Sequence, residues 1–119
     1  MYGTPSADFE MVGKVTNEKT EPLSEVEVIA ADVEHDALIC EKVVSITNKT
    51  GNYRVSEDLY DLWGKNGGYL FRFVGDTNLY EPFDTIILEK KLHFEDEDRW
   101  YKGRTSVTVN VTLKSKQGE

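Results

Sequence analysis

The sequence has little cysteine and no long apolar segment. Its 119 residues include one cysteine, Cys40, so a disulfide bond within the chain is excluded. No apolar run approaches the roughly 20 residues that a membrane-spanning helix needs, and no apolar segment of a signal peptide is present. A chain of this length buries enough surface to fold as one domain without disulfides or metal.

Basic residues are also scarce and scattered. Lysine and arginine total 14 against 22 aspartates and glutamates, which gives a net charge of −8. Nucleic-acid binding requires a basic stripe that displaces counterions from phosphates. We therefore expect no nucleic-acid partner, and no anionic lipid surface bound by charge alone.

Recognisable catalytic motifs are absent. Cys40 follows two apolar residues and is typical of a buried structural thiol. His35 and His93 lie in no nucleophile motif and lack the spacing of metal ligands. We expect no enzyme, no catalytic residue and no cofactor. The alternative, a hydrolase with paired carboxylates, has only the number of acidic residues in its favour.

Short segments in which apolar and polar residues alternate predict β-strands. The clearest is Ser106 to Lys114, where every second residue is apolar. We predict seven strands, at about residues 8–16, 25–32, 38–47, 53–55, 69–74, 83–88 and 106–114. Residues 56–66 are compatible with a short helix or an ordered loop.

This pattern predicts an all-β fold, a single seven-stranded antiparallel Greek-key sandwich. A small open barrel would use the same pattern. Residues 1–8 contain glycine, proline and serine without periodicity, so we predict a flexible N-terminal lead-in there. The sandwich domain then covers residues 9–119.

Three motifs in the first half of the chain resemble a known family. They are Val12-Gly13-Lys14-Val15, then Pro22-Leu23-Ser24-Glu25-Val26-Glu27-Val28, then Thr47-Asn48 with Gly51-Asn52-Tyr53. Together they resemble the carboxypeptidase regulatory-like, transthyretin-like β-sandwich family. Glu25 stands where that family usually has glycine, and Asn48 stands where it has aspartate. The resemblance implies a transthyretin-like or immunoglobulin-like sandwich, in which Gly13, Gly51 and Tyr53 serve turns and packing.

Both ends of the chain also resemble a narrower group. The segment Tyr2-Gly3-Thr4-Pro5-Ser6-Ala7-Asp8-Phe9 and the acidic stretch Phe94 to Asp98 are similar to segments of the radical-SAM-associated lipoproteins of Bacteroidetes. That resemblance implies an exported protein of the periplasm, outer membrane or cell surface. Its only membrane contact would be an N-terminal lipid on a cysteine that this sequence does not contain.

The acidic run Glu95 to Asp98 is a candidate calcium site. Asp96 and Asp98 have the alternate spacing of ligands in a calcium loop, although the glycine and terminal glutamate of an EF-hand are missing. A solvated acidic loop explains the same residues.

Trp63, Trp100 and Tyr101 are candidates for glycan binding, because exposed aromatic faces stack on sugar rings. The alternative is that both tryptophans close the open ends of the sandwich. Taken together, the sequence predicts a non-catalytic accessory domain of the cell envelope that contacts a partner protein through an edge strand or an end loop. A carbohydrate-binding module is the alternative.

Overall fold

The computed structural model describes residues 6–34, 37–58, 64–65, 68–88, 92 and 101–116. The described residues form nine β-strands and no helix. The strands are β1 (Ser6–Asn17), β2 (Glu27–Glu34), β3 (Ala37–Ile46), β4 (Asn52–Asp58), β5 (Gly64–Lys65), β6 (Gly68–Val74), β7 (Phe83–Leu88), β8 (Tyr101–Thr108) and β9 (Val111–Leu113). A search of the same residues for a helix long and apolar enough to cross a membrane finds none.

The strands form two sheets that enclose one core. In the first sheet β1 is central, with β4 on one side and β8 followed by β9 on the other. The second sheet has the order β3-β2-β6-β7, and β5 extends the pairing of β6 beyond the end of β2. The predicted all-β sandwich is therefore confirmed.

Two details of the predicted sandwich are wrong. The pairs β1–β8 and β1–β9 are parallel, although every strand was expected to be antiparallel. Alternation cannot distinguish the two cases, because side chains alternate with period two in both. The described residues also hold nine strands against the seven predicted, partly because the expected strand 106–114 is interrupted at Val109 and Asn110.

The start of β1 also differs from the expected boundary. The strand begins at Ser6, inside the predicted lead-in of residues 1–8, and Ala7 is fully buried. Asp8 pairs with β4 on one side and with β8 on the other. Residues 6–8 are therefore part of the sandwich, because a buried alanine there extends the apolar face of β1.

Aromatic rings join the two sheets. Phe9 of β1 stacks on Phe71 of β6, with ring centroids 5.9 Å apart and an interplanar angle of 10°. Tyr53 of β4 meets Phe73 of β6 edge to face at 5.3 Å. Both geometries are favourable for aromatic pairs. Aliphatic side chains from both sheets fill the rest of the core, namely Met11, Val15, Val28, Val55, Val111 and Leu113.

The turns of the resembling motifs have well-defined geometry. The Asn48 side-chain oxygen accepts hydrogen bonds from the amides of Thr50 and Asn52, both at 3.0 Å. Gly51 closes that turn with a φ of 77°. Glu25, which stands where the resembled family has glycine, has a φ of 60°. This side chain therefore occupies a left-handed conformation that glycine adopts at lower cost.

Gly13 of β1 lies beside the short connection between β8 and β9. The amide of Val109 donates to the carbonyl of Val12 at 2.9 Å. Tyr53, opposite Gly13 in the β1–β4 register, donates its hydroxyl to the carbonyl of Val109 at 2.5 Å. The crossing chain and the tyrosine thus fill the space that a side chain at position 13 would need.

Burial of the Tyr53 hydroxyl gives a pH dependence to stability. Burial raises the pKa of Tyr53 above its ordinary value of about 10. The folded protein then holds this proton at a pH where the unfolded chain has lost it. The stabilisation that Tyr53 provides through this proton is complete below about pH 10 and falls as the pH rises further. We expect the free energy of unfolding to decline above about pH 10, and to decline less steeply in Tyr53→Phe.

Urea denaturation at a series of pH values measures both slopes. At neutral pH the Tyr53→Phe variant should be less stable by about 1 kcal/mol, because the hydrogen bond to Val109 is lost. Equal slopes for the two proteins would show that Tyr53 does not contribute to the alkaline decline.

Candidate functional site

The outward surface of the second sheet is unusually apolar. An antiparallel sheet that faces water on one side normally carries polar residues there. Here the outer face of the second sheet, as the register defines it, presents large aliphatic side chains. Val43 is 48% exposed, Ile46 54%, Ile86 61% and Leu88 36%. The four exposed residues lie on β3 and β7, and the outward Ile29 and Ala31 of β2 between them are buried. Exposed apolar residues that share one face are typical of an interaction surface.

Register places these residues on one side of the sheet. Ile29 lies opposite Val43 on β3 and opposite Arg72 on β6. Arg72 alternates with the buried Phe71 and Phe73, so its side of β6 faces away from the core. Leu70 pairs with Ile86, and Glu27 pairs with both Ile46 and Val74. The apolar part of this face therefore runs from Val43 through Ile29 and Ala31 to Leu70 and Ile86, with the charged residues Glu27 and Arg72 beside it.

Arg72, in the middle of this face, is paired with Asp84, and Glu41 of β3, opposite Ala31, contributes a further carboxylate. Arg72 donates two hydrogen bonds to Asp84 of β7, Nε to Oδ1 at 2.6 Å and Nη2 to Oδ2 at 2.8 Å. The hydrogen bond to Asp84 raises the pKa of Arg72, against the smaller opposing effect of burial. A two-point pair of this kind has fixed geometry. The face therefore loses little of its apolar character to this pair.

One end of the face is acidic. Glu25, Glu27 and Asp76 border a shallow open depression together with Ile46 and Val74. Carboxylates at the border of an apolar surface favour a partner that brings basic side chains to the same place.

The outer face of the first sheet has the opposite character. Glu10 of β1 forms an ion pair with Arg54 of β4, at 2.5 Å. Ser56 and Ser106 lie opposite Glu10 on the two neighbouring strands. The depression over these residues is open and mixed in charge. This face has the ordinary character of a solvated sheet.

Most of the sequence-predicted site residues lie outside the part of the chain that the structure describes. Trp63, Trp100, Asp96 and Asp98 lie outside the described residues. Tyr101 is the first residue of β8, where the backbone alone is described. The glycan and calcium hypotheses therefore remain predictions. In the part of the chain that is described, no three His, Cys, Asp or Glu residues cluster as metal ligands.

Sequence reasoning missed the apolar outer face. Val28 and Ala30 of β2, with Val26 just before the strand, alternate with polar or outward residues and are buried on the inward side. The outward residues Ile29 and Ala31 are apolar as well, which makes that part of the strand continuously apolar. Adjacent aliphatic residues in β3 and β7 give the same signal. Runs of this kind indicate strands that are covered on both faces.

Comparison with known proteins gives similarity of structure only. No family model matches the chain, and no curated protein matches it. The chain is similar over 96% of its length to chlorocatechol 1,2-dioxygenase from Pseudomonas putida, with a TM-score of 0.61, 14% identity and 68% of that chain covered. It is similar over the same share to the dioxygenase domain of a dioxygenase carbohydrate-binding protein fusion from Streptomyces sp. SirexAA-E, with a TM-score of 0.57, 11% identity and 84% of that chain covered.

A third similar structure is phospholipase PlaB from Legionella pneumophila. The TM-score is 0.52 and the identity 17%, and the match covers 96% of this chain but 26% of the phospholipase. At these identities the similarities show that the fold is shared, and carry over no substrate or site residue.

These similarities correct the expectation that the chain is not an enzyme. That expectation rests on the absence of a recognisable motif, and two structures with the same fold are dioxygenase chains. Motifs are a weak guide here, because an active site is assembled from residues that are distant in sequence. The fold is therefore one that enzymes also have, and the absence of a motif does not exclude an activity.

Proposed function

We propose that this domain binds a partner protein through the outer face of its second sheet. The observation that carries the proposal is the exposure of Val43, Ile46, Ile86 and Leu88, each more than one third exposed on a single sheet surface. Burying such side chains against a partner removes apolar surface from water, which is the main driving force of association.

The dimensions of the face suit a protein partner. Four strands spaced about 4.8 Å apart, each contributing about six residues, give a surface of roughly 20 by 20 Å. That is enough for the apolar centre of a standard protein interface, with its polar rim outside. The acidic border at Glu25, Glu27 and Asp76 supports a partner with basic residues at one edge of its contact surface.

We also propose that the sandwich has the Greek-key arrangement of the transthyretin-like folds. Its support is that β4 returns to lie beside β1 after the β2–β3 hairpin has formed in the other sheet.

An exported, lipid-anchored location is part of the proposal as well. It is supported by the resemblance of the segment from Tyr2 to Phe9 to the start of mature lipoproteins. The coding sequence upstream of Met1 tests it: a signal sequence that ends in cysteine supports export, and its absence contradicts the anchor.

Photo-cross-linking from the outer face tests the partner. A benzoylphenylalanine at Val43 should yield one cross-linked protein in the native cells, and mass spectrometry would identify it. With that protein purified, Ile46→Lys and Ile86→Lys should each weaken binding about tenfold or more in calorimetric titration, because a charge is buried in an apolar interface.

Ser106→Lys is the matched control, since it adds the same charge to the outer face of the first sheet. It should leave the affinity of the partner unchanged. A partner that tolerates both face variants, or that is lost with Ser106→Lys, would place the binding surface elsewhere.

A further inference from the structure

We infer that a second copy of this chain pairs with β7, edge to edge, so that the second sheet continues across a two-fold axis. This goes beyond the proposed partner and does not depend on it. The occupant is a second copy because the edge of β7 is complementary to itself, as the register and the charges show.

Among the described residues, β7 pairs with β6 alone. Phe83, Ile86 and Leu88 are all more than one third exposed, although Phe83 points toward the core side and the other two point outward. Natural edge strands are usually protected by lysine, proline, a bulge or a free charge. The six residues of β7 contain no lysine or proline, and their register with β6 is regular.

The charge on β7 also permits pairing. Asp84 is its single charged residue, and Arg72 of the same copy neutralises it through two hydrogen bonds. The joint between two copies would therefore bring together neutral edges, even though each chain carries a net charge of −8.

Two-fold symmetry restricts the register to two central choices. Residues directly opposite each other in an antiparallel pair point to the same face of the sheet. One residue of β7 must therefore lie opposite the same residue of the second copy, at the two-fold axis, so that inward side chains lie opposite inward ones. With Ile86 at the axis, Asp84 lies opposite Leu88 and Thr85 opposite Ile87 of the second copy. With Thr85 at the axis, Asp84 lies opposite Ile86 of the second copy. Neither register places Asp84 opposite itself.

The other edge of the same sheet is unsuitable. In β3, Lys42 forms an ion pair with Glu57 of β4 at 2.7 Å, so this edge meets the first sheet. The β2–β3 pairing also carries two irregularities, one next to Ile29 and one next to Val33. Bulges and charges of this kind block edge pairing.

Sedimentation equilibrium of the full chain tests the inference. We expect a reversible monomer–dimer equilibrium whose dissociation constant rises about tenfold or more in Ile86→Glu, because the added carboxylate lies opposite its own counterpart with Ile86 at the axis and opposite Asp84 with Thr85 at the axis. Ile46→Glu is the matched control: Ile46 is equally apolar and 54% exposed on the same face, but it belongs to β3. It should leave the dissociation constant within about twofold. Unchanged urea midpoints would show that both variants fold.

Cysteine cross-linking gives an independent readout. In a Cys40→Ser background, either Ile86→Cys or Thr85→Cys should form a covalent dimer on air oxidation, because residues at the axis have Cα atoms about 5 Å apart. Ile46→Cys should remain monomeric.

A wild-type chain that stays monomeric at millimolar concentration would overturn the inference. So would a dimer that Ile46→Glu dissociates as readily as Ile86→Glu, or the absence of a covalent dimer from both β7 cysteines. Loss of partner binding in Ile46→Lys with the dimer intact would separate this edge from the proposed docking face.

Discussion

Replacing Gly13 by alanine is expected to lower the free energy of unfolding by about 3 to 5 kcal/mol. An added Cβ would lie 1.8 Å from the carbonyl oxygen of Val109 and 2.9 Å from the hydroxyl of Tyr53. The first contact is with backbone, which cannot rotate away. The chain between β8 and β9 must therefore separate from β1, and both hydrogen bonds of Val109 are strained or lost.

Urea denaturation of the wild type and two alanine variants measures this effect. Gly75→Ala is the matched control, because the nearest atom to its Cβ would be the side-chain Cδ1 of Leu113 at 3.1 Å, a much milder contact than that with the backbone at Gly13. That side chain can shift, so we expect a change below about 1 kcal/mol. Domains of this kind are stable by about 5 to 15 kcal/mol, so Gly13→Ala could lose most of the native population. Similar midpoints for the two variants would contradict the close approach at Gly13.

The second large effect is expected for Phe71→Ala, which should destabilise the fold by about 3 to 5 kcal/mol. Phe71 is fully buried and stacks on Phe9 across the two sheets at 5.9 Å. Removing the ring leaves a cavity between two sheets that cannot collapse without disturbing their strand pairing.

Phe83→Ala is the control for Phe71→Ala. Phe83 lies on the edge strand, is 39% exposed and has its ring 6.3 Å from that of Phe73. Its loss should cost about 1 kcal/mol. A double-mutant cycle between Phe9 and Phe71 should give a coupling of about 0.5 to 1.5 kcal/mol. A coupling near zero would show that the stacked contact adds nothing beyond burial.

The sequence predicts the inward side of most strands well. In β6, Phe71 and Phe73 alternate with Leu70 and Arg72 and are fully buried, and the expected bounds of β7, residues 83–88, agree with the structure. In the last segment Val111 and Leu113 are buried as expected. Alternation succeeds here because burial of one sheet face imposes a period of two, whatever the rest of the fold does.

The strand partners and the site were not predictable in the same way. Alternation is blind to strand direction, so the parallel pairing of β1 with β8 and β9 was missed. Nor does alternation within a strand indicate that Val109 crosses over Gly13, because these residues are 96 positions apart in the sequence. The apolar outer face was missed because Ile29 and Ile86 were judged within their own strands. Their proximity to the exposed Val43 and Leu88 depends on register, which only the fold supplies.

The parallel pairing of the first and last strands also determines how the domain would bear mechanical load. Ser6 begins β1 beside Tyr101 at one end of the sheet, and Asn17 ends it beside Leu113 at the other. Opposed forces on the start of β1 and the end of β9 therefore slide the strands along their length. In that shear geometry the hydrogen bonds between the strands share the force. In a hairpin pulled from its open end, the hydrogen bonds instead break one after another. A sandwich connected in this way resists extension along the line from the start of β1 to the end of β9.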